Sequence, residues 1–188
     1  MRLIGWRVEG PVPDLPKMVV IGAPHTSNYD FVVAMATMFS LGLNLNIMGK
    51  HTLFRWPMGG FMRWCGLIAI NRSAAHGVVG ETVQAFGAAD RLWIGIAPEG
   101  TRSSGGDTWK SGFWQIARQA GVPVLPIAID YAARAVRFGP PFETTSDVHA
   151  DMVRLSNFYG GVQGARRTIP SQIGVRVGGG TARAADQP

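Results

Sequence analysis

A histidine and an aspartate five positions apart are the residues of this sequence best suited to acid–base chemistry. His25 and Asp30 lie between a short apolar run at residues 18–21 and a longer one at residues 31–41. A histidine in the loop after a strand can act as a general base if a carboxylate fixes its tautomer and stabilises the imidazolium. On one continuous helix the two side chains would point about 140° apart. They can therefore meet only if His25 precedes the helix and Asp30 lies in its first turns.

A simpler role for Asp30 is also open. Ser27 and Asp30 fit the capping-box pattern, in which a hydroxyl residue and an acidic residue three positions later bind backbone N–H groups at a helix start. In that interpretation Asp30 only satisfies backbone donors, and His25 is an ordinary loop residue. No metal site is expected, because the other histidines have no ligand spacing. The single cysteine, Cys65, excludes an internal disulfide and a cysteine-based zinc site.

Two further segments place an arginine after an apolar run. Residues 98–103 follow one such run and combine a glycine and small hydroxyls with Arg102, which suits a phosphate pocket because guanidinium binds phosphate oxygens in a bidentate fork. Residues 66–72 end in Arg72, which could join Arg102 around one anionic group. Each also fits an ordinary surface turn with a solvated arginine, and the residues alone leave both interpretations open.

Alternating strands and helices must position these groups. Strands are predicted at residues 18–21, 45–48, 67–70, 92–97, 122–129 and 135–138, and helices at residues 31–41, 78–86, 113–120 and 147–158. This order predicts an α/β fold: a single domain with a mixed, largely parallel sheet flanked by helices. Pro123 and Pro126 place their strand at an edge or a bulge. The domain is expected to span residues 1–160, followed by a Gly/Arg/Ala-rich tail at residues 161–188 whose end is disordered.

Composition narrows the classes of partner. The 188-residue chain carries a net charge of +6, which favours anionic partners such as phosphorylated metabolites or an acidic lipid surface. Nucleic acid is not expected, because the basic residues are scattered rather than grouped in a stripe. No apolar run reaches the roughly 18 residues that a membrane-spanning helix needs. Residues 54–64 alternate arginines with large apolar groups and suit an element lying in a membrane interface.

Four sequence blocks, in a fixed order, resemble the glycerolipid acyltransferases, in particular the short bacterial members that act on 1-acylglycerol-3-phosphate. The blocks are H-x4-D at residues 25–30, G-x5-R at residues 66–72, E-G-T-R at residues 99–102 and V-P-V-x-P-I at residues 122–127. The resemblance covers more than half of the chain. Lys50 also falls where the family usually has a similar residue.

The resemblance implies transfer of a fatty acyl group from acyl-CoA or acyl-carrier protein to a hydroxyl of a lysophospholipid. His25 would be the general base and Asp30 its orienting partner. The residues implied in acceptor binding are Lys50, Arg72, Glu99, Gly100, Thr101 and Arg102. Neither a cofactor nor a metal is implied, and the protein would work in the cytoplasm at the inner face of the cell membrane, as a peripheral protein. The alternatives are an acceptor without phosphate, such as a lyso-ornithine lipid or a glycolipid, and a non-catalytic lipid-binding scaffold.

Overall fold

Short strands alternate with helices through most of the chain. The computed structural model describes residue 1, residue 60 and residues 5–50, 67–70, 77–100 and 107–177. The strands are β1 (Arg7–Glu9), β2 (Lys17–Ala23), β3 (Leu45–Lys50), β4 (Leu67–Ile70), β5 (Leu92–Ile96), β6 (Thr108–Lys110), β7 (Val124–Asp130), β8 (Ala135–Phe138) and β9 (Gly174–Arg176). The helices are α1 (Tyr29–Leu41), α2 (Gly77–Ala88), α3 (Gly112–Ala120) and α4 (Val148–Tyr159).

Seven of the strands form one sheet in the order β1-β8-β7-β2-β5-β3-β4. Every neighbouring pair is parallel except β7 and β8, which are antiparallel. β6 and β9 form a separate parallel pair. The prediction of an α/β domain with a mixed, largely parallel sheet flanked by helices is confirmed.

The central strand β2 divides the core into two layers. Val19, Ile21 and Ala23 belong to a large cluster with residues of α2, α3 and α4, whereas Met18 and Val20 belong to a cluster that includes a residue of α1. All five side chains are at most 2% exposed. Successive side chains of a strand point to opposite faces, so a continuous apolar run is what a strand covered on both faces requires.

Helix α1 begins at Tyr29 and ends at Gly42, which adopts a left-handed conformation with φ of 63°. One of its faces is buried, and it includes Val33 at 6% exposure. Another face is apolar but open to solvent, with Val32 at 56% and Phe39 at 60% exposure. The structure describes no helix that is both long enough and apolar enough to cross a membrane.

The predicted edge position of the strand with two prolines is wrong. β7 lies inside the sheet, between β8 and β2. It tolerates Pro126 because its pairing with the following segment shifts there: Ile127 is opposite Phe138, whereas Val124 is opposite Phe142. Three residue steps on β7 thus match four on the other side, which is the signature of a β-bulge. The bulge was predicted as the alternative to an edge.

The folded core continues beyond residue 160, where the sequence analysis placed the end of the domain. Val162, Ile169 and Ile173 are at most 6% exposed and belong to the same cluster as Val19 and Ile21. β9 then pairs with β6. The high glycine and arginine content of this segment concealed its widely spaced apolar residues. The predicted disordered end, the interfacial element at residues 54–64 and Cys65 lie outside the described residues.

Candidate active site

Three adjacent strands bring the candidate site together. β2 lies between β5 and β7, with Ile21 opposite Ile96 and Ala23 opposite Ala128. Parallel strands end at the same edge, so the segments that follow them are neighbours there. In open α/β sheets, sites form in the crevice at these carboxyl ends, where the chain changes direction across the sheet.

The histidine and aspartate meet as their spacing required. Because α1 begins at Tyr29, Asp30 lies in the first turn and His25 precedes the helix. The Nδ1 atom of His25 is 3.5 Å from Oδ2 of Asp30. The Asp30 side chain is 1% exposed, but the imidazole is 34% exposed. Since Nδ1 faces the carboxylate, Nε2 on the far side of the ring is the nitrogen left for acid–base chemistry.

The carboxylate of Asp30 accepts hydrogen bonds on both oxygens. Oδ2 accepts from the backbone N–H groups of Thr26, at 2.6 Å, and Ser27, at 2.7 Å. Oδ1 accepts from the hydroxyl of Tyr131 at 2.7 Å. Burial by itself would raise the pKa of Asp30, but hydrogen bonds from His25, Tyr131 and the two amides outweigh it and hold the pKa below its usual range. Asp30 is therefore ionised at neutral pH.

The structure shows half of the predicted capping box together with the histidine–aspartate pair: Asp30 accepts from the N–H of Ser27, but the Ser27 hydroxyl does not bind the N–H of Asp30. Ser27 donates its backbone N–H to Asp30, and its hydroxyl accepts from the N–H of Tyr29 at 3.2 Å. The same Asp30 oxygen also faces His25. The capping contacts fix the carboxylate in the orientation that meets the imidazole, so the two roles support each other.

A second buried carboxylate, that of Glu99, holds the histidine from the backbone side. Its Oε1 accepts from the N–H of His25 at 2.8 Å, and its Oε2 forms an ion pair with Arg167. Burial raises the pKa of the Glu99 carboxyl, and the hydrogen bond from the His25 amide and the charge of Arg167 only partly offset this. Glu99, predicted from its motif to bind the acceptor, thus also connects β5, the histidine loop and the C-terminal segment.

Gly100 occupies a position that only glycine fits well. Its φ is 76°, and a Cβ atom there would lie 2.7 Å from Cε of Lys110. The absence of a side chain lets Lys110 lie directly over the loop after β5. This places an ammonium group beside the E-G-T-R motif, a cation that the sequence analysis did not select.

The side chains of the remaining predicted acceptor-binding residues lie outside the part of the chain that the structure describes. Lys50 ends β3, where its backbone is paired with that of Ile70, but its side chain is outside the description. Arg72, Thr101 and Arg102 also lie outside the described residues. Their assembly into an anion pocket stays a prediction.

Besides Lys110, two residues of the site were missed by sequence reasoning. Tyr131 directly follows the end of β7, at the same edge of the sheet as His25, so the rule that sites form at strand ends could have found it. Arg167 lies in the segment interpreted as a Gly/Arg/Ala-rich tail. No sequence signal marked it as the partner of Glu99.

Comparison with known proteins agrees with this geometry. The family model described as "Acyltransferase" matches residues 7–130, more than half of the chain. The 1-acyl-sn-glycerol-3-phosphate acyltransferase of Escherichia coli K12 is 33% identical over 120 residues, which are 61% of this chain and 47% of that protein. The protein of the same name from Borreliella burgdorferi is 27% identical over 77% of this chain and 62% of its own length.

The chain thus spans about half the length of these curated relatives. Among solved structures, that of the 1-acyl-sn-glycerophosphate acyltransferase PlsC from Thermotoga maritima matches with a TM-score of 0.54 and 17% identity. The match covers 79% of this chain and 66% of that one, and it supports the fold. With the family model matching over residues 7–130, the chain belongs to the acyltransferase family.

Proposed function

We propose that this protein transfers a fatty acyl group from acyl-CoA or acyl-carrier protein to a hydroxyl of a lysophospholipid, with 1-acylglycerol-3-phosphate as the acceptor. The observation that carries the proposal is the position of His25. Its imidazole lies between a buried, ionised carboxylate and the open edge of the sheet, with Nδ1 toward Asp30. Membership of the acyltransferase family supports acyl transfer, and the names of the relatives support the acceptor.

In the proposed reaction His25 is the general base. Nε2 takes the proton of the acceptor hydroxyl while the hydroxyl oxygen attacks the thioester carbonyl. The tetrahedral intermediate then collapses, the carbon–sulfur bond breaks, and the imidazolium returns its proton to the leaving thiolate. Asp30 stays ionised throughout and stabilises the imidazolium. General base catalysis of this kind contributes around 10²–10⁴-fold to the rate.

The acceptor's phosphate needs cations near the histidine. We assign this role to Arg72, Arg102 and Lys50, and we add Lys110 because it lies over Gly100 beside the E-G-T-R motif. The amphiphilic substrates and the net charge of +6 support work at an anionic membrane surface, where each basic residue near the surface contributes about 1 kcal/mol. The thioester supplies the activated acyl group, so the proposed reaction requires no cofactor.

The test is thiol release by the purified protein from a panel of acyl-CoA and acyl-carrier-protein donors. Lysophosphatidate and several phosphate-free lysolipids are offered in mixed micelles. We expect release that depends on lysophosphatidate and is lost in His25→Ala. The matched control is His149→Ala, which removes an exposed histidine at the start of α4 and should keep wild-type activity. Release that is unchanged in His25→Ala, or absent with every donor, would overturn the proposal.

The same assay separates the possible acceptors. If the acceptor carries a phosphate, Arg72→Ala and Arg102→Ala should raise its KM strongly. If a lyso-ornithine lipid or a glycolipid is the preferred acceptor, both variants should behave like wild type. Preference for such an acceptor would leave the acyl transfer in place and overturn the proposed substrate.

A further inference from the structure

We infer that Tyr131 is a positioning residue of the histidine–aspartate pair, acting through the carboxylate of Asp30. The inference rests on the proposed function, because a positioning role presumes that His25 is the base. It concerns a residue just outside the segment matched by the family model, which ends at residue 130.

The two oxygens of Asp30 have separate partners. Oδ2 faces His25 and accepts from the amides of Thr26 and Ser27. Oδ1 accepts from the Tyr131 hydroxyl at 2.7 Å. The amides belong to the histidine loop itself and move with it, whereas Tyr131 belongs to the segment after β7. The tyrosine hydroxyl therefore ties the carboxylate directly to the segment that follows β7.

Tyr131 is itself held from two other parts of the chain. Its backbone N–H donates to the carbonyl oxygen of Gln163 at 2.7 Å. Its ring meets that of Trp6 edge-on, with centroids 5.0 Å apart. A residue after α4 thus holds the backbone of Tyr131, and a residue before β1 packs on its ring, while its hydroxyl donates to Asp30. Hydrogen bonds that orient a functional group are effective when the donor itself cannot move.

The hydroxyl remains a donor at every pH at which the enzyme would be assayed. Burial and the neighbouring charge of Asp30 both raise the pKa of Tyr131 above its ordinary value. Tyr131 therefore cannot act as a base in this site. Its one proton is engaged in the hydrogen bond to Oδ1 of Asp30, the oxygen that does not face His25.

Removing the hydroxyl should make the pair bind protons more readily. The carboxylate of Asp30 and the imidazole of His25 are in contact, so a donor lost from the carboxylate is felt by both. The negative charge of the pair would lose one donor, and its affinity for a proton would rise. Among the described residues, the other ionisable groups in contact are Glu99, on the His25 amide, and Arg167, on Glu99. Tyr131→Phe leaves both in place.

The first measurement is an NMR titration of the His25 ring, without substrate, in wild type, Tyr131→Phe and Tyr29→Phe. The spectrum of His25→Ala assigns the resonance among the four histidines. Tyr29 is the matched control, because it adjoins Asp30 on α1 but is 72% exposed. We expect the midpoint to rise by about half a pH unit in Tyr131→Phe and to stay unchanged in Tyr29→Phe. An unchanged midpoint in Tyr131→Phe would overturn the inference.

The second measurement is steady-state kinetics on the same variants. Tyr131→Phe keeps the ring packed on Trp6 but loses a hydrogen bond to a charged group, so kcat should fall by about tenfold while KM stays near wild type. The loss should disappear in an Asp30→Asn background, because a residue that acts through Asp30 has nothing left to position. An equal loss in both backgrounds would identify Tyr131 as merely structural. If wild type transfers no acyl group, the proposed function fails, and the titration still tests the contact between Tyr131 and Asp30.

Discussion

Asp30 and Glu99 are two carboxylates that hold the same histidine, and their environments differ. Both residues are 2% exposed. Asp30 faces the imidazole and is stabilised by two amides and a hydroxyl, so its pKa is lowered. Glu99 binds the backbone of His25 and is paired with the guanidinium of Arg167, yet its pKa is raised.

The difference shows that a cation is not what stabilises the charge on Asp30. Several short hydrogen bonds from neutral groups outweigh the cost of burial there, whereas at Glu99 one amide and one guanidinium do not. Because its donors are neutral, Asp30 keeps its full negative charge for the imidazolium of His25. The charge of Glu99 is paired with that of Arg167, and Glu99 links the histidine loop to the C-terminal segment. Substitution of Asp30 should therefore mainly reduce catalysis, whereas substitution of Glu99 should mainly reduce stability.

The largest effect is expected for Asp30→Asn, on catalysis. The amide keeps the size of the side chain but can no longer stabilise the imidazolium of His25. We expect kcat to fall by about 10³–10⁴-fold, the scale of the corresponding change in serine-protease triads. Steady-state thiol release measures this. Asp90→Asn is the matched control at an exposed position, and a comparable loss there, or a loss under tenfold in Asp30→Asn, would contradict the assignment.

The next effect is expected for Glu99→Gln, on stability. The amide oxygen can still accept from the His25 N–H, but the ion pair between Arg167 and Glu99 is broken. Breaking a buried pair from one side costs about 3–5 kcal/mol, and we expect about 2–3 kcal/mol here because the substitution also relieves the burial of a charge.

Urea unfolding measures the loss, with Glu143→Gln as an exposed control. Adding Arg167→Met to Glu99→Gln should recover most of the stability, since replacing both members of a buried pair is often nearly neutral. A double variant no more stable than Glu99→Gln would show that the ion pair is not the cause of the loss.

A smaller effect, of opposite sign for the two carboxylates, is expected in acid. The pKa of Asp30 in the folded state lies below its ordinary value of 3.8, so its contribution to stability is present above that pH and is lost as the pH falls through the folded pKa. The folded pKa of Glu99 lies above 4.5, so protonation of Glu99 on acidification favours the folded state. Compared with wild type, stability should fall less steeply with acid in Asp30→Asn and more steeply in Glu99→Gln. Urea midpoints between about pH 5 and pH 2 test this, and parallel curves would refute it.

The smallest effect is expected at an exposed pair of the same chemistry. Arg91 and Asp14 lie 3.0 Å apart, with 67% and 92% of their side chains exposed. Arg91→Ala should change the free energy of unfolding by no more than about 0.5 kcal/mol, because water screens such pairs. Arg167→Ala, measured in the same way, should cost several times more. Equal losses of stability in Arg91→Ala and Arg167→Ala would show that burial does not determine how much such an ion pair contributes.

The contact between His25 and Asp30 could be predicted because it depends on neighbours in the sequence. The five-residue spacing required a helix start between them, and α1 begins at Tyr29. The helix predicted at residues 113–120 likewise ends at Ala120, and Gly121 after it adopts a left-handed conformation with φ of 64°. In both cases local backbone preferences suffice.

The contacts of Glu99 and Tyr131 could not be predicted in the same way, because they depend on which strands are neighbours. Glu99 meets His25 only because β5 pairs with β2, and Tyr131 meets Asp30 only because β7 pairs with the other edge of β2. Arg167 is 68 positions from Glu99 along the chain. No local pattern encodes such a separation, and the composition of the surrounding segment suggested a tail.

The burial of Ile169 and Ile173 beside β2 has a consequence for synthesis of the protein. A ribosome releases the chain from its N-terminus at about 5–20 residues per second, so β2 emerges on the order of ten seconds before these two residues. During that interval one face of the central strand lacks part of the cluster that encloses Val19 and Ile21 in the finished molecule. The nascent protein therefore carries an incomplete core until residues 169–173 have emerged, and during this period a chaperone would have an apolar surface to bind.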